Sequence, residues 1–407
     1  MNRFAWIAGA VIAGAAAAAA PHVVHRSRGA SAASELRPNR LTVAAPATSA
    51  AALIARAGEL DARLRAEPDD VASVVRLGET LLRQARASND ARAANRAAAV
   101  LDEVLKRDPA QYDAIRMLRA IRLSQHRFRD ALTAGRRARD LRPDDAWNYG
   151  VMGDALLELG EYDEAFAAFD TMMTMRPGPA AYARVSYARE LRGNLHGALE
   201  AMQLALQSTA SQDAEAQAWY SAQLGELHIR LGNIDAADRA YRRSAFAFPD
   251  YPHAMIGLAR VKAARGDRAG ALAAYRDQFR RTPSLDLAAR IGDIYATDGN
   301  AAEAERYFGL AEDLAGPPIA QTEAHLALFL ADHDRRVDEA VNVAEAVARV
   351  RHDIFTEDAL AWSYFKAGRI TAAMAASQRA LRTGTRDVEI IRRAERIRAA
   401  SVSSAVP

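Results

Sequence analysis

The chain has 407 residues, half of them apolar, with 54 basic against 51 acidic side chains, a net charge of +3 and no cysteine. That length admits two or three ordinary domains or one long repeat array, and the absence of cysteine excludes disulfides, thiolate metal sites and a cysteine nucleophile. The signs are interspersed along the sequence, which argues against the concentrated basic stripe of a nucleic-acid binder and for a mixed, solvated surface.

In chain order, Met1-Asn2-Arg3 and the apolar run Phe4–Ala20 come first. A short positive start, an apolar stretch and Ala-x-Ala sites before Pro21 have the layout of a secretory signal, and the run is near the lower length of a membrane span. Residues 1–25 are therefore expected to be a signal peptide or a membrane anchor. The chain is then exported (periplasmic or secreted) or membrane-anchored rather than cytoplasmic. Arg26 and Arg28 match the positive charge before the run, so the topology of an anchor stays open. Residues 26–48, rich in Ser, Ala, Arg and Pro, read as a flexible linker. A first helix follows over 49–66, where Leu53, Ile54, Ala57, Leu60 and Leu64 share a face.

From there the sequence repeats. Pro109, Pro143 and Pro177 are each 34 residues apart, as are Pro249 and Pro283. An alanine register runs through Ala97, Ala131, Ala165, Ala198, Ala237, Ala271, Ala304, Ala340 and Ala373. Other positions keep the same phase. A large residue before a small one recurs at Leu77-Gly78, Met152-Gly153, Leu224-Gly225, Ile291-Gly292 and Leu360-Ala361. Glycine closes the first half of the unit at 160, 193, 232, 266, 299 and 368. In residues 146–177 this predicts a helix from about Asp145 to Leu159, a left-handed stop at Gly160, and a second helix opening on Asp163 and Glu164, whose carboxylates face its positive end. One such hairpin cannot bury its own apolar stripe, and stacked neighbours can.

The 34-residue unit with Trp or Tyr, Leu-Gly, Tyr, Ala, Phe, Ala and Pro resembles the tetratricopeptide repeat. The resemblance covers about residues 70–386 in about nine units: 71–109, 112–143, 146–177, 179–210, 218–249, 252–283, 285–317, 321–352 and 354–386. A polar-faced capping helix is expected over 387–400 and a disordered tail over 401–407. The implied fold is all-α: a right-handed solenoid of antiparallel helix hairpins. Some units depart from the pattern. Arg119 and Gly135 replace the small and bulky positions of 112–143, and 321–352 lacks its glycine turn and proline.

No phosphate-cradling glycine loop, nucleophile elbow or His-Glu-x-x-His is present. "ADHDRR" brings Asp332, His333 and Asp334 together, with His325 eight residues earlier, but three successive residues point in different directions and read as a solvated turn. No cofactor and no metal is expected, and the leading reading is a non-catalytic protein-interaction scaffold, with cell-envelope assembly as its narrower form. The alternative is an enzyme or metal-binding protein with an unrecognised site. In tetratricopeptide arrays the first helix of each hairpin lines the concave face. Carried over, that face holds Trp147, Asp154, Glu158, Tyr187, Glu190, Trp219, Glu226, Arg230, Arg260, Asp293, Trp362 and Lys366. The three tryptophans also suit packing between repeats. Chaperone-tail binders of this type grip a carboxylate with Lys or Arg plus Asn; here those positions hold Gly150 and Asp154, Ala222 and Glu226, or Ile256 and Arg260. The implied partner is a protein or peptide segment of basic or mixed charge, with a membrane tether at the N-terminus and no nucleic acid.

Overall fold

In the computed structural model the described residues are 49–88, 91–315 and 324–403. The expected signal or anchor and the linker 26–48 lie outside the described residues. Every regular element is a helix: α1 Ala50–Ala66, α2 Val71–Ser88, α3 Ala91–Arg107, α4 Tyr112–Ser124, α5 Phe128–Leu141, α6 Ala146–Leu159, α7 Tyr162–Met175, α8 Pro179–Leu191, α9 Leu195–Gln207, α10 Ala214–Arg230, α11 Ile234–Ala247, α12 Pro252–Ala264, α13 Arg268–Arg281, α14 Leu285–Thr297, α15 Ala301–Leu314, α16 His325–Asp332, α17 Val337–Ala348, α18 Ile354–Lys366, α19 Ile370–Ala380 and α20 Val388–Ser403. After the leading α1, successive helices pair as hairpins from α2/α3 to α18/α19, and α20 closes the array. Among the described residues no helix is long and apolar enough to cross a membrane. Helix α20 runs three residues beyond the expected end at 400, since neither Gly nor Pro interrupts 388–403.

The hairpin α6/α7 shows why the unit forms. Asp145 caps α6 by accepting the Trp147 N–H at 2.9 Å, and Gly160 ends the helix at φ +88°, where a side chain would be strained. The turn glycines of the other hairpins adopt the same sign of φ. Where glycine is missing, another residue bears the strain: His126 (φ +57°) between α4 and α5, and Asp334 (φ +52°) with Arg336 (φ +39°) between α16 and α17.

Between the two helices of a hairpin, a glycine meets an aromatic ring. A Cβ on Gly153 would lie 2.4 Å from the Phe169 ring, on Gly225 2.5 Å from Tyr241, and on Gly292 2.4 Å from Phe308. All three pairs are sixteen residues apart, and so are Arg119 and Gly135. In that hairpin the small and large residues are reversed in order. Arg119 is fully buried and donates to the Asn148 side chain of the next hairpin, and a Cβ on Gly135 would lie 2.8 Å from Met152, also of the next hairpin. The departure at 112–143 is thus met by the neighbouring hairpin. Replacing Gly153 by Leu drives a side chain into Phe169 and the Ala165 carbonyl; the expected loss is about 1–3 kcal/mol or more, read as a lowered urea midpoint.

An ideal repeat array joins each unit only to its neighbours. This one also closes on itself. The His352 N–H donates to the Leu159 carbonyl at 3.1 Å, and the Ile354 N–H donates to the Tyr162 hydroxyl at 2.8 Å. Arg351, fully buried, reaches Glu158 at 3.1 Å and Asp353 at 2.9 Å, while Ile354, Ala380 and Ile390 join the apolar core of the first six hairpins. Further along, a Cβ on Gly193 would lie 2.5 Å from the Gly384 carbonyl. At the other end, Arg86 of α2 pairs with Glu215 of α10, both buried.

Candidate partner-binding recess

Several charged side chains of the first helices pair from one hairpin to the next. Arg184 of α8 grips Asp154 of α6 with two bonds of 3.0 and 2.6 Å, both residues being buried. Arg230 of α10 pairs with Glu190 of α8. Arg260 of α12 donates to both Glu226 oxygens of α10 at 2.5 Å, and the Tyr241 hydroxyl donates to the same carboxylate at 2.6 Å. His333 meets Asp293 at 2.8 Å, Lys366 meets Asp334 at 2.6 Å, and Arg393 meets Asp358 at 2.8 Å and Asp332 at 3.0 Å. Asp332, His333 and Asp334 therefore serve three different neighbours. Among the described residues no group of three His, Asp or Glu is arranged to hold a metal.

The register explains the first pair. Gly150 occupies in α6 the position that Arg184 occupies in α8, and a Cβ there would lie 3.1 Å from the Arg184 Nε. The missing side chain is the room in which the guanidinium lies, 5.0 Å from the centre of the Trp147 ring. Burial pushes the Asp154 carboxyl up to about 6, while the Arg184 charge and its hydrogen bonds pull it back down.

The twelve inward residues thus divide. Trp147, Asp154, Glu158, Trp219 and Trp362 are buried in contacts within the chain. Trp219 lies edge-on to Tyr220, and Trp362 stacks on Phe365 with centroids 4.9 Å apart. Asp293 and Lys366 lie toward the C-terminal hairpins in the pairs just described. The other five, Tyr187, Glu190, Glu226, Arg230 and Arg260, line one recess built by α8, α10, α12 and α14, with Tyr187 and Glu190 buried at its wall. Its walls also hold residues the sequence reading did not name, among them Gln223, His253, Asp286 and Arg290. Arg290 was within reach, because it follows Ala222 and Ile256 at the same 34-residue step.

Three carboxylates and three guanidiniums face this recess, beside an apolar strip of Ala222, Pro252, Ile256 and Leu287. The acidic bias of residues 154–226 is lost there, since Asp154 and Glu158 are buried and Arg290 is added. Desolvation tends to raise the Glu226 carboxyl, but Arg260 and the Tyr241 hydroxyl outweigh it and hold it below the ordinary value, so the carboxylate is charged at neutral pH. Arg290 bonds to the Tyr275 hydroxyl, and no carboxylate within the described residues is paired with it.

Burial pulls His253 down to about 4, with the Arg86 charge assisting and Glu226 opposing. The unfolded chain therefore takes up a proton near 6.5 that the folded chain refuses until about 4. The stability His253 contributes is present above pH 6.5 and is lost as the pH falls toward 4. Asp154, raised in the folded state, slopes the opposite way over the lower part of that window. The difference between wild type and His253→Gln isolates the histidine: wild type is expected to lose more stability from pH 7 to pH 4.5 in parallel urea titrations.

No protein-family model and no curated protein matches the sequence. Solved structures do. The APC/C hetero-tetramer Cut9-Hcn1 aligns at TM-score 0.53 and 15% identity over 85% of this chain and 59% of that one, so this chain spans less than two thirds of its length. A human IFIT1 dimer with PPP-AAAA aligns at TM-score 0.52 and 16% identity over 80% of this chain and 77% of that one. The human IFIT1 dimer with m7Gppp-AAAA aligns at TM-score 0.52 and 16% identity, over 81% and 76%. At such identity the likeness is one of fold. Taken with the 34-residue register, the glycine-to-ring contacts and the stacked hairpins, it makes the chain a tetratricopeptide-type α-solenoid.

Proposed function

We propose that the chain is a non-catalytic interaction scaffold that holds a segment of a partner protein in the recess between α8 and α14, working at the cell envelope as an exported or N-terminally tethered protein. The observation that carries this reading is the convergence of five inward positions, from three successive hairpins, on one recess that offers apolar surface and both signs of charge together. Such a lining suits an extended segment with an apolar side chain for Ile256 and Leu287, a carboxylate for Arg290 and a cation for Asp286. One of the IFIT1 structures holds PPP-AAAA and the other m7Gppp-AAAA. Three carboxylates in the present recess oppose a polyphosphate, which favours a protein segment here.

The test is a pull-down with the full chain from its own cells, comparing wild type with Ile256→Glu plus Arg290→Glu. The double change is expected to lose at least tenfold of the captured partner while the melting temperature holds. An unchanged set of captured proteins sinks the assignment of the recess. Removing residues 1–45 tests the envelope part separately; unchanged fractionation with membranes or the exported fraction contradicts it.

A further inference from the structure

The exposed face of α11 carries a feature that pairing and packing do not absorb. Phe246, in the last turn of α11, is 90% exposed, the most exposed of the large apolar side chains among the described residues. Arg243 and Arg239 stand three and seven residues before it, on the same stripe of the helix, and both are exposed. Within the described residues neither has a carboxylate partner. The acids of α11 are occupied nearer its start: Asp235 pairs with Arg265 at 2.6 Å, and Asp238 with Arg242 at 3.0 Å. One register step along, α13 places Arg276 and Arg280 at the positions of Arg242 and Phe246. Both are exposed, and Arg276 bonds to the hydroxyl of Tyr295.

We propose that this outer stripe of α11, Arg239, Arg243 and Phe246, is a contact for the surface of an anionic lipid bilayer, with the ring entering the headgroup boundary and the guanidiniums binding lipid phosphates. A ring this exposed is costly in water and is accommodated at a bilayer interface, while unpaired guanidiniums on the same stripe supply the charge complement of anionic headgroups. The three side chains are exposed together on one helix stripe and do not line the recess, which suits a broad surface. Proteins that bind single-stranded nucleic acid run the strand through a positively charged groove, and here the inward groove holds as many carboxylates as guanidiniums. The apolar run Phe4–Ala20 gives the same chain a second, independent element of bilayer-compatible composition. No residue of the recess belongs to the stripe, so partner capture by the recess and lipid contact by the stripe fail separately.

The absence of cysteine makes the test clean. Phe246→Cys in the full chain, labelled with an environment-sensitive fluorophore, reports that one site and is blind to insertion of Phe4–Ala20. The label is expected to shift to the blue on vesicles of phosphatidylglycerol and phosphatidylcholine and to stay unshifted on phosphatidylcholine alone. The same label at Asp170→Cys, on the outer face of α7, should not respond. Adding Arg239→Ala and Arg243→Ala is expected to raise by about thirty-fold the lipid concentration needed for half the shift, the loss of two surface cations. The inference is overturned by an absent shift at 246, an equal shift at 170, or a response indifferent to the two arginines. It is equally overturned if a single-stranded RNA oligomer, and not the vesicles, produces the change.

Discussion

Arg351→Ala is expected to cost about 3–5 kcal/mol, a large share of what a folded chain has to lose, because it removes the cation from two carboxylates inside the protein. Arg351 is fully buried, and Glu158 and Asp353 are 5% and 2% exposed. The guanidinium also donates to the Thr356 hydroxyl at 3.0 Å and lies 5.2 Å from the centre of the Phe128 ring. Truncation therefore leaves two buried charges and a void, and the turn 349–353 loses the side chain that anchors it to α6. Hydrogen exchange by segment is the informative readout, since a repeat array can lose its terminal units first. Protection should fall in α18 and, because of the closure, also around residues 158–162. A fall confined to α18 and its sequence neighbours contradicts a mechanical role for the closure. Pairing the change with Glu158→Gln, as Arg351→Met plus Glu158→Gln, should recover part of the loss.

Asp154→Ala is expected to cost a similar amount, about 3–5 kcal/mol, for the complementary reason: it leaves the fully buried Arg184 guanidinium without its bidentate partner. Asp154→Asn keeps the shape and one acceptor oxygen, so a smaller loss is expected. Arg184 also donates to the Ala180 carbonyl at 3.0 Å, which orients the side chain but does not neutralise it. Urea midpoints for wild type and both variants check the order. If Asp154→Asn is as stable as wild type, the ion pair contributes nothing beyond shape and one hydrogen bond.

These two sites mark how far the sequence could be read. The hairpins were legible because packing writes its requirements at fixed intervals. A ring such as Phe169 needs a glycine at 153, and the same glycine-to-ring spacing of sixteen residues returns at 225 and 241 and at 292 and 308. The inward direction of Asp154, Glu226 and Arg260 followed from the same register. What the register cannot state is whether an inward charge is met by the next hairpin or left for a ligand, since that depends on where long side chains end. Arg184 reaches Asp154 only because position 150 is glycine. The closure was beyond reach altogether. Arg351 and Glu158 lie 193 residues apart, and no period links them. The basic stripe of α11 was masked by averaging, because its acids are adjacent in sequence yet engaged with Arg242 and Arg265.

The most direct test of the scaffold reading is site-specific photo-crosslinking in the cells that make the protein. A photoreactive residue in place of Ile256, on the apolar strip of the recess, is compared with one in place of Asp170 on the outer face of α7. Crosslinks from position 256 to one contiguous segment of a single partner protein, absent from position 170, are the expected result. Crosslinks from 256 to no protein, or the same products from both positions, contradict it.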